Sequence, residues 1–337
     1  MLGLLPVHRL LRPLYAGCGV IFVMHRVLPP SGAARIAANA RLEVSPAFLE
    51  AVLDHVLATG YEVVSLDEAW RRLAAGGGGG RFACFTFDDG YLDNYEHAYP
   101  IFRRRGLPFA VYVATSYIDK TAVLWHYMLE RLVLSRDAFS YCVDGVEVQV
   151  RAGTPAEKEA LYWELCGRII AAGPASWPSL FDSLFAANGI DPGMFHGETM
   201  GWEMLTTLSG DPLVTIGAHT VNHYNLATLD EARARDEMLS SKERLESRLG
   251  RPVRHFAYPF GKAGAAGARE FRLAADCGFR TATTTREGNL FPAHGQHPMA
   301  LPRIEITGRH QDLRLLDLRL SGVLSILRNG PRRVVTA

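Results

Sequence analysis

The sequence predicts an α/β chain built on a parallel sheet, closed or open, with a smaller α+β unit inserted in its middle. Three observations predict it. Eight strand-like apolar runs recur along the 337 residues, and segments with helical start and stop signals separate several of them. The alternation then breaks once, from about Ile118 to Thr199. Strands separated by helices are joined by crossovers rather than hairpins, and crossovers make a sheet parallel.

The runs are Val20–Met24, Tyr61–Leu66, Phe82–Phe87, Phe109–Thr115, Leu213–Ala218, His255–Phe260, Arg280–Thr284 and Leu301–Ile306. Ahead of the first, Val7, Leu10, Leu11 and Leu14 share a helical stripe, with His8, Arg9 and Arg12 around it. Ser45 followed by Pro46 opens a helix whose apolar face carries Phe48, Leu49, Val52, Leu53, Val56 and Leu57, and Gly60 closes it. The run Gly76–Gly80 reads as a flexible surface loop. Thr228 with Glu231 reads as a capping box for a helix through Ala234, Met238, Leu245 and Leu249 to Gly250.

The interrupting region reads as a helix (Leu124–Ser135), a hairpin and two more helices. Phe139–Val143 and Val146–Val150 flank Asp144-Gly145, a pair suited to a type I′ turn. Thr154 and Glu157 form a capping box for a helix through Ile170. Its aromatic residues Trp125, Tyr127, Tyr162, Trp163, Trp177, Phe181 and Phe195 are expected to pack as its own core, or, in a second reading, to form a lid. The expected organisation is therefore 1–117 and 200–307 as two parts of one barrel or sheet, 118–199 as the insertion, and 308–337 as an amphipathic helix and tail.

Composition narrows the function. Lys and Arg number 36 against 35 Asp and Glu, a net charge of +1, whereas phosphate binding leaves a basic excess, so nucleic acid is not expected as a partner. At 48% hydrophobic and 21% charged, the chain can bury a full core. No apolar run approaches the ~18 residues of a membrane span. The cysteines Cys18, Cys84, Cys142, Cys166 and Cys277 are odd in number and form no CxxC pair, which fits neither a disulfide framework nor a cysteine zinc site. Val20–Met24 ends in His25-Arg26 rather than a small-residue cleavage site, so a cytoplasmic location is expected. Leu313, Leu316, Leu320, Leu324 and Leu327 share a face of Gln311–Leu327, and the six arginines of Arg309–Arg333 outnumber Asp312 and Asp317 by four. That pattern suits docking onto the barrel, with peripheral contact at the inner membrane face as the second reading.

Two clusters carry chemistry. Thr86-Phe87-Asp88-Asp89-Gly90 closes a strand with adjacent carboxylates, which repel unless a cation or proton intervenes. The strand Leu213–Ala218 runs into His219-Thr220-Val221-Asn222-His223, whose histidines would face one way on a helical turn. Two histidines and a carboxylate leave a tetrahedral metal one position for water. Both clusters follow strand C-termini, where parallel α/β folds place their active sites.

These residues resemble the polysaccharide deacetylase family, the NodB-homology or carbohydrate esterase 4 group. Thr86–Gly90 matches its T-F-D-D-G motif and His219–His223 its H-[ST]-x-x-H motif, while Ala257-Tyr258-Pro259-Phe260 matches only the latter half of R-x-P-[YF]. The resemblance covers about Val20–Tyr117 and Trp202–Ile306. It implies a distorted (β/α) barrel of seven or eight strands. It also implies that Asp89, His219 and His223 hold one divalent metal ion, zinc with cobalt or nickel as alternatives, that Asp88 is the general base, and that the Phe260 N–H is an oxyanion donor. The usual late [ILV]-x-L-H histidine is missing. Met24-His25-Arg26-Val27 instead is similar to the Y-H-x-V segment of the branch that includes biofilm poly-N-acetylglucosamine deacetylases, which makes His25 the general acid. His294 and His297 are rivals in a Gly/Pro-rich loop expected at the surface. Ala257 stands where the family's base-orienting arginine would be, and Arg303 is the candidate replacement. The expected reaction is removal of acetyl from an N-acetylated sugar of a glycan or glycolipid, a lipid-linked glycan if the termini touch membrane, with the insertion's aromatic residues, in their second reading, as a lid over the sugar rings. A non-sugar amide hydrolase and a non-catalytic glycan-binding barrel are the alternatives.

Overall fold

Apolar runs with no polar alternation must be covered on both faces, and the strands they form are. The computed structural model describes residues 7–143 and 145–336. Its main sheet comprises β1 (Gly19–Met24), β2 (Glu62–Val63), β3 (Phe82–Phe87), β4 (Phe109–Val113), β5 (Val214–Ala218), β6 (His255–Ala257), β7 (Thr281–Glu287) and β8 (Leu301–Glu305). All their pairings are parallel, in the order β1-β8-β7-β6-β5-β4-β3. A full-length β1–β3 pairing, from Gly19 opposite Phe82 to Met24 opposite Phe87, closes seven strands into a barrel. The short β2 pairs with the start of β3 (Phe82, Ala83), while β4 takes its end (Thr86, Phe87). The expected seven or eight strands are thus seven in the closed ring and one beside it.

Alternation along each strand sorts the core into two layers. Ile21, Cys84, Ala110, Tyr112, Ala257 and Leu301 cluster together, while Phe22, Phe85, Val111, Phe256 and Ile304 pack with the surrounding helices. The helix Pro46–Ala58 begins as its sequence predicts, the Ser45 hydroxyl accepting from the Phe48 N–H at 3.2 Å. The helix Glu231–Leu249 does not. Its cap is Asp230, which accepts from the Arg233 N–H at 2.9 Å, and Thr228 ends a separate 3-10 turn. The carboxylate nearest the first turn takes the orphan donor.

The single C-terminal helix expected over Gln311–Leu327 is two, Leu313–Leu320 and Val323–Asn329. Gly322 (φ 77°) breaks it, because its backbone lies against the Tyr15 carbonyl, where a side chain would not fit. Leu316 and Leu320 dock into the core, whereas Leu327, like Leu10 and Leu14 on the helix Val7–Tyr15, is exposed. Among the described residues no helix is long and apolar enough to cross a membrane.

Between β4 and β5 lie the helix Trp125–Ser135, the antiparallel pair Ala138–Val143 and Val146–Arg151, and the helices Pro155–Ala172 and Trp177–Leu184. Asp144 of the expected turn lies outside the described residues; Gly145 has φ 78°. Met128, Leu132, Tyr141, Tyr162, Leu165 and Phe185 form a core separate from the barrel's, while Trp163 is exposed. Polar contacts fasten this unit down. Glu130 accepts from the Ile36 N–H (2.7 Å) and from Asn39 Nδ2 (3.0 Å), and Lys120 Nζ donates to the carbonyls of Thr199 (2.6 Å) and Met200 (2.9 Å).

Candidate active site

Parallel strands end on a common rim, so the residues that follow them converge there. Asp88 and Asp89 follow β3, His219 follows β5, His25 follows β1, Phe260 lies just beyond β6, and Arg303 is within β8.

Asp89, His219 and His223 each offer a ligand atom, and these atoms all lie within 4.8 Å of one another. Asp89 Oδ1 is 3.4 Å from His219 Nε2 and 3.2 Å from His223 Nε2. The His219 Nδ1 is 2.7 Å from the Ala257 carbonyl, which fixes the proton there and leaves Nε2 as a lone pair facing Asp89. Asp89 Oδ1 is buried and has no hydrogen-bond partner among the described residues. An orphaned anionic oxygen facing two imidazole nitrogens is a donor set that fits a divalent cation such as zinc.

The histidines do not sit on a helical turn, as their spacing suggested. Residues 219–223 form a loop in which Thr220 (φ 67°) and His223 (φ 56°) are left-handed, and this brings the rings to 4.9 Å between centroids. The Thr220 hydroxyl accepts from the His223 N–H at 2.9 Å. Glu237, from the helix behind, accepts from the N–H groups of Val221 (3.0 Å) and Asn222 (2.8 Å) and from Asn222 Nδ2 (2.6 Å). Among the described residues, four of the five non-glycine residues with positive φ belong to this centre: Asp89, Thr220, His223 and Phe260. Such strain is held only where the surroundings over-determine it.

The adjacent carboxylates avoid repulsion by facing different cations. Asp88 turns to Arg303, whose Nη1 and Nη2 each donate to one carboxylate oxygen at 2.7 Å. The pair is buried, and Arg303 Nε donates to the Thr284 carbonyl at 2.9 Å. Burial would raise the Asp88 carboxyl, but the Arg303 guanidinium keeps it below its ordinary value. The small Ala257 packs beside Tyr112 and Leu301, and the Arg303 guanidinium lies 5.7 Å from the Tyr112 ring centre.

His25 continues the β1–β3 register beside Asp88, whose N–H donates to the Met24 carbonyl at 3.0 Å. Asn94 Nδ2 donates to the His25 carbonyl at 2.8 Å. Phe260 (φ 62°) is half-exposed, with its ring 5.3 Å from His223. Its N–H makes no hydrogen bond among the described residues, while its carbonyl accepts from the Thr285 hydroxyl at 2.5 Å. Of the rival acids, His297 is exposed, but His294 is buried rather than at the surface, because its turn packs against the helix Leu66–Ala74; its Nδ1 accepts from the Phe291 N–H at 2.9 Å. Neither joins the rim cluster. A cavity of about 630 Å³ between Phe271, Arg286 and Met299 contains none of the predicted site residues.

Sequence reasoning missed Glu237, the Ala257 carbonyl and His126. The first acts across a loop and helix, and the second is a backbone atom that any residue would supply. His126 belongs to the insertion, with its Nε2 3.2 Å from the hydroxyl of Tyr91.

Residues 75–282, more than half of the chain, match the family model described as Polysaccharide deacetylase. Among solved structures, the deacetylase PplD of Streptococcus pyogenes superposes with a TM-score of 0.59 at 20% identity, over 89% of this chain and 97% of that one. IcaB from Ammonifex degensii gives 0.56 at 20% identity, over 90% and 97%. A de-N-acetylase from Aggregatibacter actinomycetemcomitans gives 0.55 at 14%, over 89% and 99%. At these identities the likeness concerns the fold. Among curated proteins no relative matches.

Proposed function

Because the chain belongs to the polysaccharide deacetylase family, hydrolases that act on amide bonds of carbohydrates, we propose that it removes the N-acetyl group from an N-acetylated sugar of a polysaccharide or glycolipid. Asp89, His219 and His223 would hold one divalent metal ion, zinc before cobalt or nickel. When bound, such a cation polarises an acetyl carbonyl and lowers the pKa of a water toward neutrality.

The observation that carries the reading is the division between the two adjacent carboxylates. Asp89 has a bare oxygen facing two histidines, while Asp88 is gripped by Arg303 at 2.7 Å on both oxygens. A site that only bound a cation would have no use for the second carboxylate. Asp88, kept ionised by Arg303, takes a proton from the attacking water. The Phe260 N–H donates to the acetyl oxygen as negative charge develops on it. His25 protonates the leaving nitrogen, since an amide anion does not depart unprotonated. Its position ahead of the T-F-D-D-G motif assigns the chain, in this proposal, to the branch with an N-terminal acid.

Acetate release from chitooligosaccharide by the metal-loaded chain tests this. Asp88→Asn is expected to lose about 10²–10⁴ in rate while still binding metal, and His25→Ala a loss within the same range. Wild-type rates in either variant, or a product other than acetate, would overturn the corresponding assignment.

A further inference from the structure

The insertion is built onto the rim of the metal centre at both of its ends. It departs past Tyr117, whose ring stacks on the His223 imidazole with centroids 5.9 Å apart and planes 21° apart. It returns at Thr199, which bridges to Tyr91, and at Met200, whose N–H donates to the Gly90 carbonyl at 3.0 Å. Gly90 and Tyr91 directly follow the ligand Asp89. Between these ends, the first turn of the helix Trp125–Ser135 sets His126 against Tyr91, at 3.2 Å from Nε2 to the hydroxyl.

Tyr91 is a fixed platform. It is buried, edge-on to Tyr127 at 6.1 Å, and the Arg26 guanidinium lies 4.8 Å from its ring centre and 5.3 Å from that of Tyr127. His126 therefore has a set orientation, close enough to the Asp89 carboxylate to feel its charge. Its Nδ1 makes no hydrogen bond among the described residues, and the residue keeps part of its surface open. Burial pushes its imidazole down to about 3, so at neutral pH it is neither a cation nor an acid, and hydrogen bonding is the chemistry left to it.

We infer that His126 is a recognition residue for the sugar, its Nδ1 forming a hydrogen bond with a hydroxyl or the acetamido group of an N-acetylated pyranose whose acetyl group lies at the metal centre. Aromatic walls with one directional polar contact are what a neutral pyranose requires, its C–H faces packing on rings and its hydroxyls seeking partners. The insertion thereby takes part in substrate choice through a named atom. This rests on the N-deacetylase reading above.

The test compares two acetyl donors on the metal-loaded full chain, chitooligosaccharide and 4-nitrophenyl acetate, which has no sugar ring. His126→Ala is expected to lower kcat/KM for the oligosaccharide roughly 3- to 10-fold, the worth of one neutral hydrogen bond, mainly through KM. The ester should be cleaved at the wild-type rate. His126→Asn places an amide atom where Nδ1 stood and should restore more than His126→Gln, which replaces only Nε2. An unchanged oligosaccharide reaction in His126→Ala, equal losses on both donors, or better rescue by Gln would overturn the inference. A wild type that cleaves the ester but no N-acetylated sugar would defeat the deacetylase reading, and the inference with it. A wild type active on the sugar with an unchanged alanine variant defeats the inference alone.

Discussion

Arg303 and Asp88 are a buried pair whose value lies in being complete. Removing the cation leaves an ionised carboxylate without a partner in the barrel, so Arg303→Ala is expected to cost about 3–5 kcal/mol in denaturant unfolding. Removing both charges with Asp88→Asn and Arg303→Met should recover most of that loss while activity stays absent. A double variant no more stable than Arg303→Ala would mean that Arg303 acts through packing instead. Arg303 was legible because Ala257 stood where a cation was wanted and one arginine occupied the last barrel strand. The left-handed backbone at Asp89, Thr220, His223 and Phe260 was not, since only glycine advertises positive φ in a sequence.

At the scale of elements, the ligand loop depends on the helix behind it. Glu237 is buried and holds two backbone N–H groups and one side-chain amide between the two histidines. Glu237→Ala is expected to weaken zinc binding about 10-fold by titration calorimetry, because the loop then has to be ordered on binding, with Glu237→Gln falling between it and wild type. Equal affinities in all three would show that the loop is held without Glu237. The histidine spacing announced that the two rings converge but not the conformation that brings them together. A helical turn and a loop with two left-handed residues both bring positions i and i+4 together, and the residues choose the second because Glu237 and Thr220 take the loop's N–H groups. The C-terminal helix broke for a similar reason: its leucine stripe was continuous, and a contact from Gly322 to the Tyr15 backbone, far away in sequence, interrupted it.

At the scale of the molecule, the eight apolar runs announced every barrel strand, because strands covered on both faces carry their signal in themselves. Closure did not show, since the β1–β3 pairing joins segments some sixty residues apart. His294 was misplaced for the same reason: its turn looks like surface until the barrel's neighbours cover it. Burial pushes its imidazole down to about 4 from 6.5. The unfolded chain thus takes up that proton from about pH 6.5 downward and the folded chain only from about pH 4, so stability falls as pH drops between them, by about 1.4 kcal/mol per pH unit. A His294→Gln variant should show a flatter pH dependence in the same window, and an identical slope would place the effect elsewhere. The central claim, a deacetylase centre built around one cation, is tested most directly by titrating zinc into the chelated chain and following acetate release from chitooligosaccharide. The account predicts no release at zero zinc, a linear rise that saturates at one ion per chain, and no recovery in His219→Ala; full release in the presence of chelator would contradict it.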